Sequence, residues 1–257
     1  MTTSRLTEIP VTISPEVSPE PWRPGAAQPA LLRIGALLGG IGVLMQIPME
    51  RLHPHHSAPN DSAAAFREYA ASQDWTVVHI GQWLGMLLIV FGLVSLARGL
   101  ARQRGIAGGL GLLGGVTAAL VAAVFTVQMA VDGVALKSAI DAWVGSTSPI
   151  GRAATFQVAD GIRDIEKALS AFFHLLNGAT LLLLGLSVAW GRYCPRWLGV
   201  CGGVAGIGFL VAGAVTARTG FSGDADSAVL PATLFGTVFL IGVFVSMWRR
   251  ARRERTA

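Results

Sequence analysis

The stretch IAGGLGLLGGVTAALVAAVFTVQMAV, residues 106–131, decides the fold class of this chain. It contains no acidic or basic side chain, and its polar side chains are two threonines and one glutamine. A helix needs roughly 20 mainly apolar residues to cross the hydrocarbon core of a bilayer. The sequence therefore predicts that this stretch spans a membrane as an α-helix.

Five further segments have the same character. Of the 257 residues 52% are hydrophobic and 14% are charged, whereas about a quarter of the residues in soluble domains are charged. The sequence predicts an all-α, polytopic membrane helix bundle that occupies residues 30–248. Its six transmembrane helices are predicted at about 30–49, 76–97, 106–131, 168–190, 197–217 and 229–248.

The two ends of the chain are predicted to be tails. Residues 1–29 hold six prolines and no apolar run, which indicates a disordered cytoplasmic tail without a signal peptide. Residues 249–257 are predicted to form a basic cytoplasmic tail, which is expected to meet anionic lipid head groups.

Two long connections predict a small helical cap on the outer side. In residues 50–75, the pair Asp61-Ser62 has the character of a helix start, and we expect a surface helix that ends at an interfacial Trp75. In residues 132–167, the third span is expected to continue outward, to break at 145–149 and to be followed by a helix that runs into the fourth span.

Basic residues predict the orientation of the bundle. If the N-terminus is cytoplasmic, thirteen of the 20 lysines and arginines but only four of the 15 acidic residues fall on the cytoplasmic side. The excess of positive charge favours cytoplasmic N- and C-termini. The net charge of +5 therefore reflects membrane orientation, and no basic reading surface for nucleic acid is present. The lipid bilayer is the predicted partner.

The even-numbered spans end alike, which suggests an internal repeat. They close with GLVSLAR at 92–98, GLSVAWGR at 185–192 and GVFVSMWR at 242–249. This pattern favours three related hairpins, although apolar helices can also resemble one another by chance.

Polar side chains at helical spacing lie near the outer ends of four spans, and we call this set the polar ladder. Residues three or four positions apart share a helix face. Polar groups at membrane depth are tolerated mainly where they face one another or a wet cavity. The polar ladder consists of Gln46, Glu50, His53, His79, Gln82, Gln128, Asp132, Ser170, His174 and Asn177.

Three interpretations of the polar ladder are open from the sequence. The first is a structural network of hydrogen bonds between helices, each worth about 0.6 kcal/mol. The second is an outward-facing pocket for a small molecule, a lipid or a proton, as in a transporter or sensor, with Asp132 and His174 as titratable members. Against transport, the cytoplasmic halves of the spans carry few polar residues.

The third interpretation is a cofactor site. His79 and His174 occupy similar H-x-x-[QN] patterns in two spans that run in the same direction, so their imidazoles could face each other and ligate a haem b. A divalent metal would draw its ligands from His79, His174, Asp132, Glu50 and His53. Such a protein would serve electron transfer or metal-dependent hydrolysis, although no HExxH spacing is present.

Two runs carry a resemblance to a known group of proteins. They are HPHHSAPNDSAAAFREYAASQDWTVVHIGQW at 53–83 and VDGVALKSAIDAW at 131–143. They resemble an uncharacterised family of six-span inner-membrane proteins from GC-rich bacteria, a domain of unknown function. The resemblance covers about residues 30–248 and implies six helices and a bacterial inner membrane, but no activity or site residue.

The sequence as a whole favours a non-enzymatic, multi-pass protein of the bacterial inner membrane. Its polar ladder is expected to bind a small ligand in the outer leaflet or to stabilise an assembly. A serine nucleophile elbow, a phosphate loop and a dinucleotide-binding fingerprint are all missing from the sequence. The haem or metal protein and the transporter or sensor stand as alternatives.

Overall fold

The computed structural model describes residues 27–54, 57–58 and 61–256. The predicted N-terminal tail thus lies almost wholly outside the described residues, as do His55 and His56. Within them the chain forms eight α-helices and one short π-helical segment. The α-helices are α1 (Ala27–Leu52), α2 (Ser62–Ala71), α3 (Trp75–Leu100), α4 (Ile106–Ala130), α5 (Lys137–Gly145), α6 (Pro149–Trp190), α7 (Arg196–Thr219) and α8 (Gly223–Thr256), and the π-helical segment is Val131–Leu136.

The described part of the chain has six helices that are long and apolar enough to cross a membrane. They are α1, α3, α4 with its continuation into α5, α6, α7 and α8. The protein is therefore an integral, multi-pass membrane protein with an all-α fold, as the sequence predicts.

The six spanning helices form a ring. α1 packs against α3, α3 against α4, α4 against α6, α6 against α7, α7 against α8, and α8 closes the ring against α1. The chain runs up and down, so α1 starts and α8 ends at one end of the bundle, which we call the tail end. The opposite end, where α2 and α5 lie, is called the cap end. The predicted hairpins are packed pairs, but the most extensive packing joins α6 to α7 across a hairpin boundary, and the repeat stays a prediction.

An apolar core lies mainly in the tail half of the ring, beside the cavity described below. It draws buried side chains from all six spanning helices, among them Leu32, Leu96, Leu184, Leu198 and Met247. Glycine allows the closest approach within this half: a Cβ on Gly199 of α7 would come within 2.6 Å of the Gly185 carbonyl oxygen on α6. Small residues at this interface let the two backbones touch, as is common in membrane bundles.

The cap end carries a second, smaller core outside the ring. Phe66 of α2 packs with Leu136, Ile140 and Trp143 from the extension of the third span and with Ala159 of α6. At about 1.5 Å per residue, the 42 residues of α6 exceed the thickness of a bilayer core, so the first part of α6 belongs to this cap.

Several local predictions for the cap can be compared with the structure. Asp61 caps α2 by accepting a hydrogen bond from the backbone N of Ala64, and the third span continues to Gly145 before α6 begins at Pro149. The expected role of Trp75 is wrong. This residue begins α3 instead of ending the surface helix, and at 1% exposure it is buried and not interfacial.

The basic C-terminal segment continues α8 as a helix to Thr256. Its arginines pack on aromatic rings, with the Arg250 guanidinium 4.3 Å from the Tyr193 ring centre and that of Arg252 5.6 Å from the Trp248 ring. The guanidinium of Arg33 also donates to the carbonyl oxygen of Ala251. The last turns of α8 are thus tied to the tail end of the bundle.

Candidate functional site

The ring encloses a cavity of about 1610 Å³. Its walls come from α1, α3, α4, α6, α7 and α8, and they are apolar along most of their length. Between α1 and α8 the cavity is bordered by side chains that are exposed on the surface of the bundle, such as Leu44 at 67% and Leu230 at 66%. The cavity is therefore open sideways, toward the space that lipid chains occupy around a membrane protein.

The structure brings most of the polar ladder to this cavity. Four helices contribute to its polar region, which lies toward the cap end. The ladder residues that line the cavity are Gln46, Glu50, His53, Gln82, Gln128, Asp132, Ser170, His174 and Asn177. Within this set the amide of Gln46 donates to the backbone carbonyl of Gln82 at 3.1 Å, which links α1 to α3.

His79 lies behind the cavity wall and is bonded to Asp132. Its Nε2 is 2.9 Å from Asp132 Oδ2, and its Nδ1 is 2.7 Å from the backbone oxygen of Trp75. The ring of His53 lies 5.2 Å from the ring of His79, centre to centre. One ligand atom from each of His53, His79 and Asp132 lies within 4.8 Å of the other two.

A π-helical segment presents Asp132 to this cluster. A π-helix makes hydrogen bonds of a different register from an α-helix, and such segments often occur at functional sites. Trp75 Nε1 donates to the Asp132 carbonyl and Thr76 Oγ1 donates to the Gly133 carbonyl, each at 3.2 Å. Gly133 itself lies against His79, because a Cβ there would come within 2.5 Å of His79 Cβ. The start of α3 thus holds the π-segment in place.

A buried group of charged and phenolic side chains adjoins the ladder and was not predicted. Arg163 and Glu166 of α6 are buried at 2% and 6% exposure. Arg163 donates to Tyr69 Oη at 3.3 Å and lies over the rings of Tyr69, Phe66 and Phe221. Burial raises the pKa of the Tyr69 phenol, partly offset by the neighbouring Arg163, so the phenol stays neutral at physiological pH.

A sequence signal for this group exists. Arg163 and Glu166 lie on the same helical stripe as Ser170, His174 and Asn177, at intervals of three or four residues. Extending the ladder of the fourth span two turns outward would have included both. The sequence pattern alone predicts that both side chains are in water, because charged residues beyond a span usually are. In the structure the cap buries them.

Buried polar atoms without a hydrogen-bond partner concentrate at this end of the cavity. Gln128 Oε1, Asp132 Oδ1, Glu166 Oε2 and His174 Nδ1 have no partner among the described residues, and all four side chains line the cavity. Three of these atoms are oxygens that accept hydrogen bonds, as does the unprotonated nitrogen of an imidazole. Leaving such an atom buried and unpaired costs about 1–3 kcal/mol.

The two histidines that a haem would need have different surroundings. His174 lines the cavity and packs against the rings of Phe173 and Phe209. Both ring nitrogens of His79 are hydrogen-bonded to other groups of the protein. Ligation of any metal through His79 Nε2, a haem iron included, would therefore replace its hydrogen bond with Asp132.

Comparisons with protein-family models, with curated proteins and with solved structures find no significant match to this chain. The functional proposals below therefore rest on the geometry of the cavity and of the side chains around it.

Proposed function

We propose that this protein binds an amphiphilic molecule of the bilayer. The head group of the ligand donates hydrogen bonds to the polar end of the cavity, and its apolar part lies along the cavity wall. The class of ligand is a lipid-like molecule with an amine or hydroxyl-rich head, and binding, not catalysis, is the proposed activity.

One observation carries this proposal. Four buried atoms that lack partners, on Gln128, Asp132, Glu166 and His174, line the same cavity. Native proteins rarely leave buried polar atoms unpaired, and each instance calls for an explanation. Arg163 is a buried cation beside Glu166, and a donor-rich head group would supply the hydrogen bonds that the unpaired oxygens lack.

The shape and the borders of the cavity support a ligand that arrives from the membrane. Ligand sites usually combine an apolar lining with a few convergent polar groups, and this cavity has both. The opening between α1 and α8 is bordered by apolar side chains such as Leu44, Ile47 and Leu230. Passing this apolar border is unfavourable for a water-soluble ligand and favourable for an acyl or prenyl chain.

The test compares wild type with a variant that removes two of the unpaired atoms and keeps the side-chain volume. The protein is extracted in mild detergent, and bound amphiphiles are identified and counted by mass spectrometry. Wild type should retain about one molecule per chain, and Gln128→Met combined with His174→Phe should retain at least about tenfold less. Thr180→Val is the matched control, since Thr180 lines the same cavity but bonds Leu176 of its own helix.

The sign of the stability change separates ligand binding from a structural network. Since the double variant removes unpaired buried atoms, its ligand-free form should be as stable as wild type or more stable. If the polar residues instead form a structural network, the double variant should be less stable than wild type and should retain the same amount of lipid. Wild type that yields no stoichiometric amphiphile would also overturn the proposal.

We further propose that the tail end faces the bacterial cytoplasm and that the membrane is the inner membrane. Support comes from the arginines at the tail end, among them Arg98, Arg104, Arg192 and Arg249, and from the family resemblance of the sequence. Fusions at the C-terminus test the orientation. A green fluorescent protein fusion should fluoresce and an alkaline phosphatase fusion should be inactive, and the opposite pair of results would reject it.

A further inference from the structure

We propose that His53, His79 and Asp132 form a binding site for one divalent transition-metal ion of the zinc class. The three side chains come from the end of α1, the first turns of α3 and the π-helical segment. The site shares Asp132 with the polar end of the cavity, but it needs neither His174 nor the proposed amphiphile, and the metal titration below tests it separately from the proposed function.

The hydrogen bonds of His79 call for a positive centre next to Asp132. Because the Trp75 carbonyl can only accept, His79 Nδ1 carries a proton. In the neutral ring Nε2 then presents a lone pair, and it lies 2.9 Å from Asp132 Oδ2, which is also an acceptor. The contact is held either by a proton on His79 Nε2, which makes it an imidazolium–carboxylate ion pair, or by a metal ion that both atoms ligate.

Two features favour the metal ion. A third ligand atom, from His53, lies within 4.8 Å of the other two. Asp132 Oδ1 is buried and has no partner among the described residues. Tetrahedral ligand bonds of about 2.1 Å place neighbouring ligand atoms about 3.4 Å apart, so a bound ion would widen the observed separation of 2.9 Å between His79 Nε2 and Asp132 Oδ2.

Both histidines are held in the manner of metal ligands. In metal sites the second ring nitrogen of a histidine usually donates to a carbonyl or carboxylate, which fixes the ring and its tautomer. His79 does this through Trp75, and His53 Nδ1 lies 3.0 Å from the Pro54 carbonyl. The half-buried His53 lies just beyond the last helical residue of α1.

The donor set defines the class of metal. Two imidazoles and one carboxylate suit zinc, iron(II) and related ions, whereas magnesium and calcium prefer oxygen ligands throughout. Three protein ligands leave at least one coordination position open for water or another ligand. Because His53 and Asp132 also line the cavity, that open position would face the cavity.

Titration of the full-length protein with cobalt(II) tests the site. Bound Co²⁺ absorbs visible light in a way that reports its coordination number, whereas Zn²⁺ is colourless. The protein is purified without a polyhistidine tag, treated with a chelator and titrated with Co²⁺ and then with Zn²⁺. Wild type should take up one Co²⁺ per chain and release it to Zn²⁺. His53→Ala and Asp132→Asn should each weaken Co²⁺ binding at least about tenfold.

Two controls locate the site within the sequence. His174→Ala and the double variant His55→Ala/His56→Ala should bind Co²⁺ as wild type does. Folding of every variant is checked by size-exclusion chromatography and by its melting temperature without metal. The proposal is overturned if wild type binds no stoichiometric Co²⁺, if folded His53→Ala and Asp132→Asn bind it unchanged, or if the His55/His56 variant alone loses it.

Discussion

The tail half and the cap half of the bundle use the same six helices but fill the space between them differently. In the tail half, leucines and glycines close the ring, and α6 touches α7 backbone to backbone near Gly185. The cavity runs along both halves, and its buried charges and unpaired polar atoms lie at its end in the cap half. Close packing is concentrated in the tail half, whereas the cap half carries the polar groups on which the proposed function rests.

The largest effect is expected from Arg163 in the cap half. Arg163→Met removes the guanidinium over three aromatic rings and leaves the buried Glu166 without that neighbouring cation. Loss of one partner of a buried ion pair typically costs 3–5 kcal/mol, and we expect about 3 kcal/mol here. The free energy of unfolding in lipid bicelles measures it.

The same substitution at an exposed position of α6 provides the control. Arg152 lies over the Trp143 ring at 5.3 Å but is exposed, so Arg152→Met should change the free energy of unfolding by less than about 1 kcal/mol. Equal effects of the two substitutions would contradict the assignment of Arg163 as a buried anchor of the cap.

A smaller effect is expected from one methyl group in the tail half. Gly199→Ala would bring a Cβ within 2.5 Å of the Ala189 backbone N on α6, and overpacking of this kind costs about 2 kcal/mol. Thermal unfolding of the purified protein reports the loss. Gly203→Ala is the control four residues further along α7, where a Cβ meets nothing within 4 Å. If both variants melt alike, the close contact between α6 and α7 is not formed.

The smallest effects come from single hydrogen bonds, one in each half. Trp75→Phe removes the bond to the Asp132 carbonyl and should cost about 1 kcal/mol. Ser187→Ala removes the bond to the Ala107 carbonyl, 2.6 Å long, and should cost about 0.6 kcal/mol. The free energy of unfolding measures both.

Ser95→Ala is the control for the serine variant, because the Ser95 hydroxyl bonds only the Phe91 carbonyl of its own helix among the described residues. It should leave the stability within about 0.5 kcal/mol of wild type. We expect the Trp75 bond to be the stronger of the two, because it also supports the π-segment. A larger loss of stability in Ser187→Ala than in Trp75→Phe would contradict this.

Much of the architecture could be predicted because hydrophobicity along the chain is a local property. The six spans, the cap of α2 at Asp61 and the break between α5 and α6 follow from runs of apolar residues and from turn residues. Trp75 was misplaced because an indole next to a span has the same local pattern whether it faces lipid head groups or another helix. Its indole bonds the π-helical segment, which lies more than 50 residues further along the chain.

The candidate site was predictable in part. Helical spacing identified Gln128, Asp132 and His174, since polar residues on one face of an apolar helix stand out. The spacing did not reveal that His79 pairs with Asp132 and not with His174, because partner choice depends on how neighbouring helices are arranged. Arg163 and Glu166 were missed because the cap that buries them is not visible in the local sequence.

The sequence by itself determined that this is a multi-pass helical membrane protein with polar residues near one end of its spans, because the bilayer forces every span to be an apolar helix. Only the tertiary structure decided that these helices close a ring around a cavity. It also decided that the π-segment turns Asp132 toward His79 and His53. Such contacts join residues far apart in the chain, and they depend on the packing of whole helices and not on the pattern within any one of them.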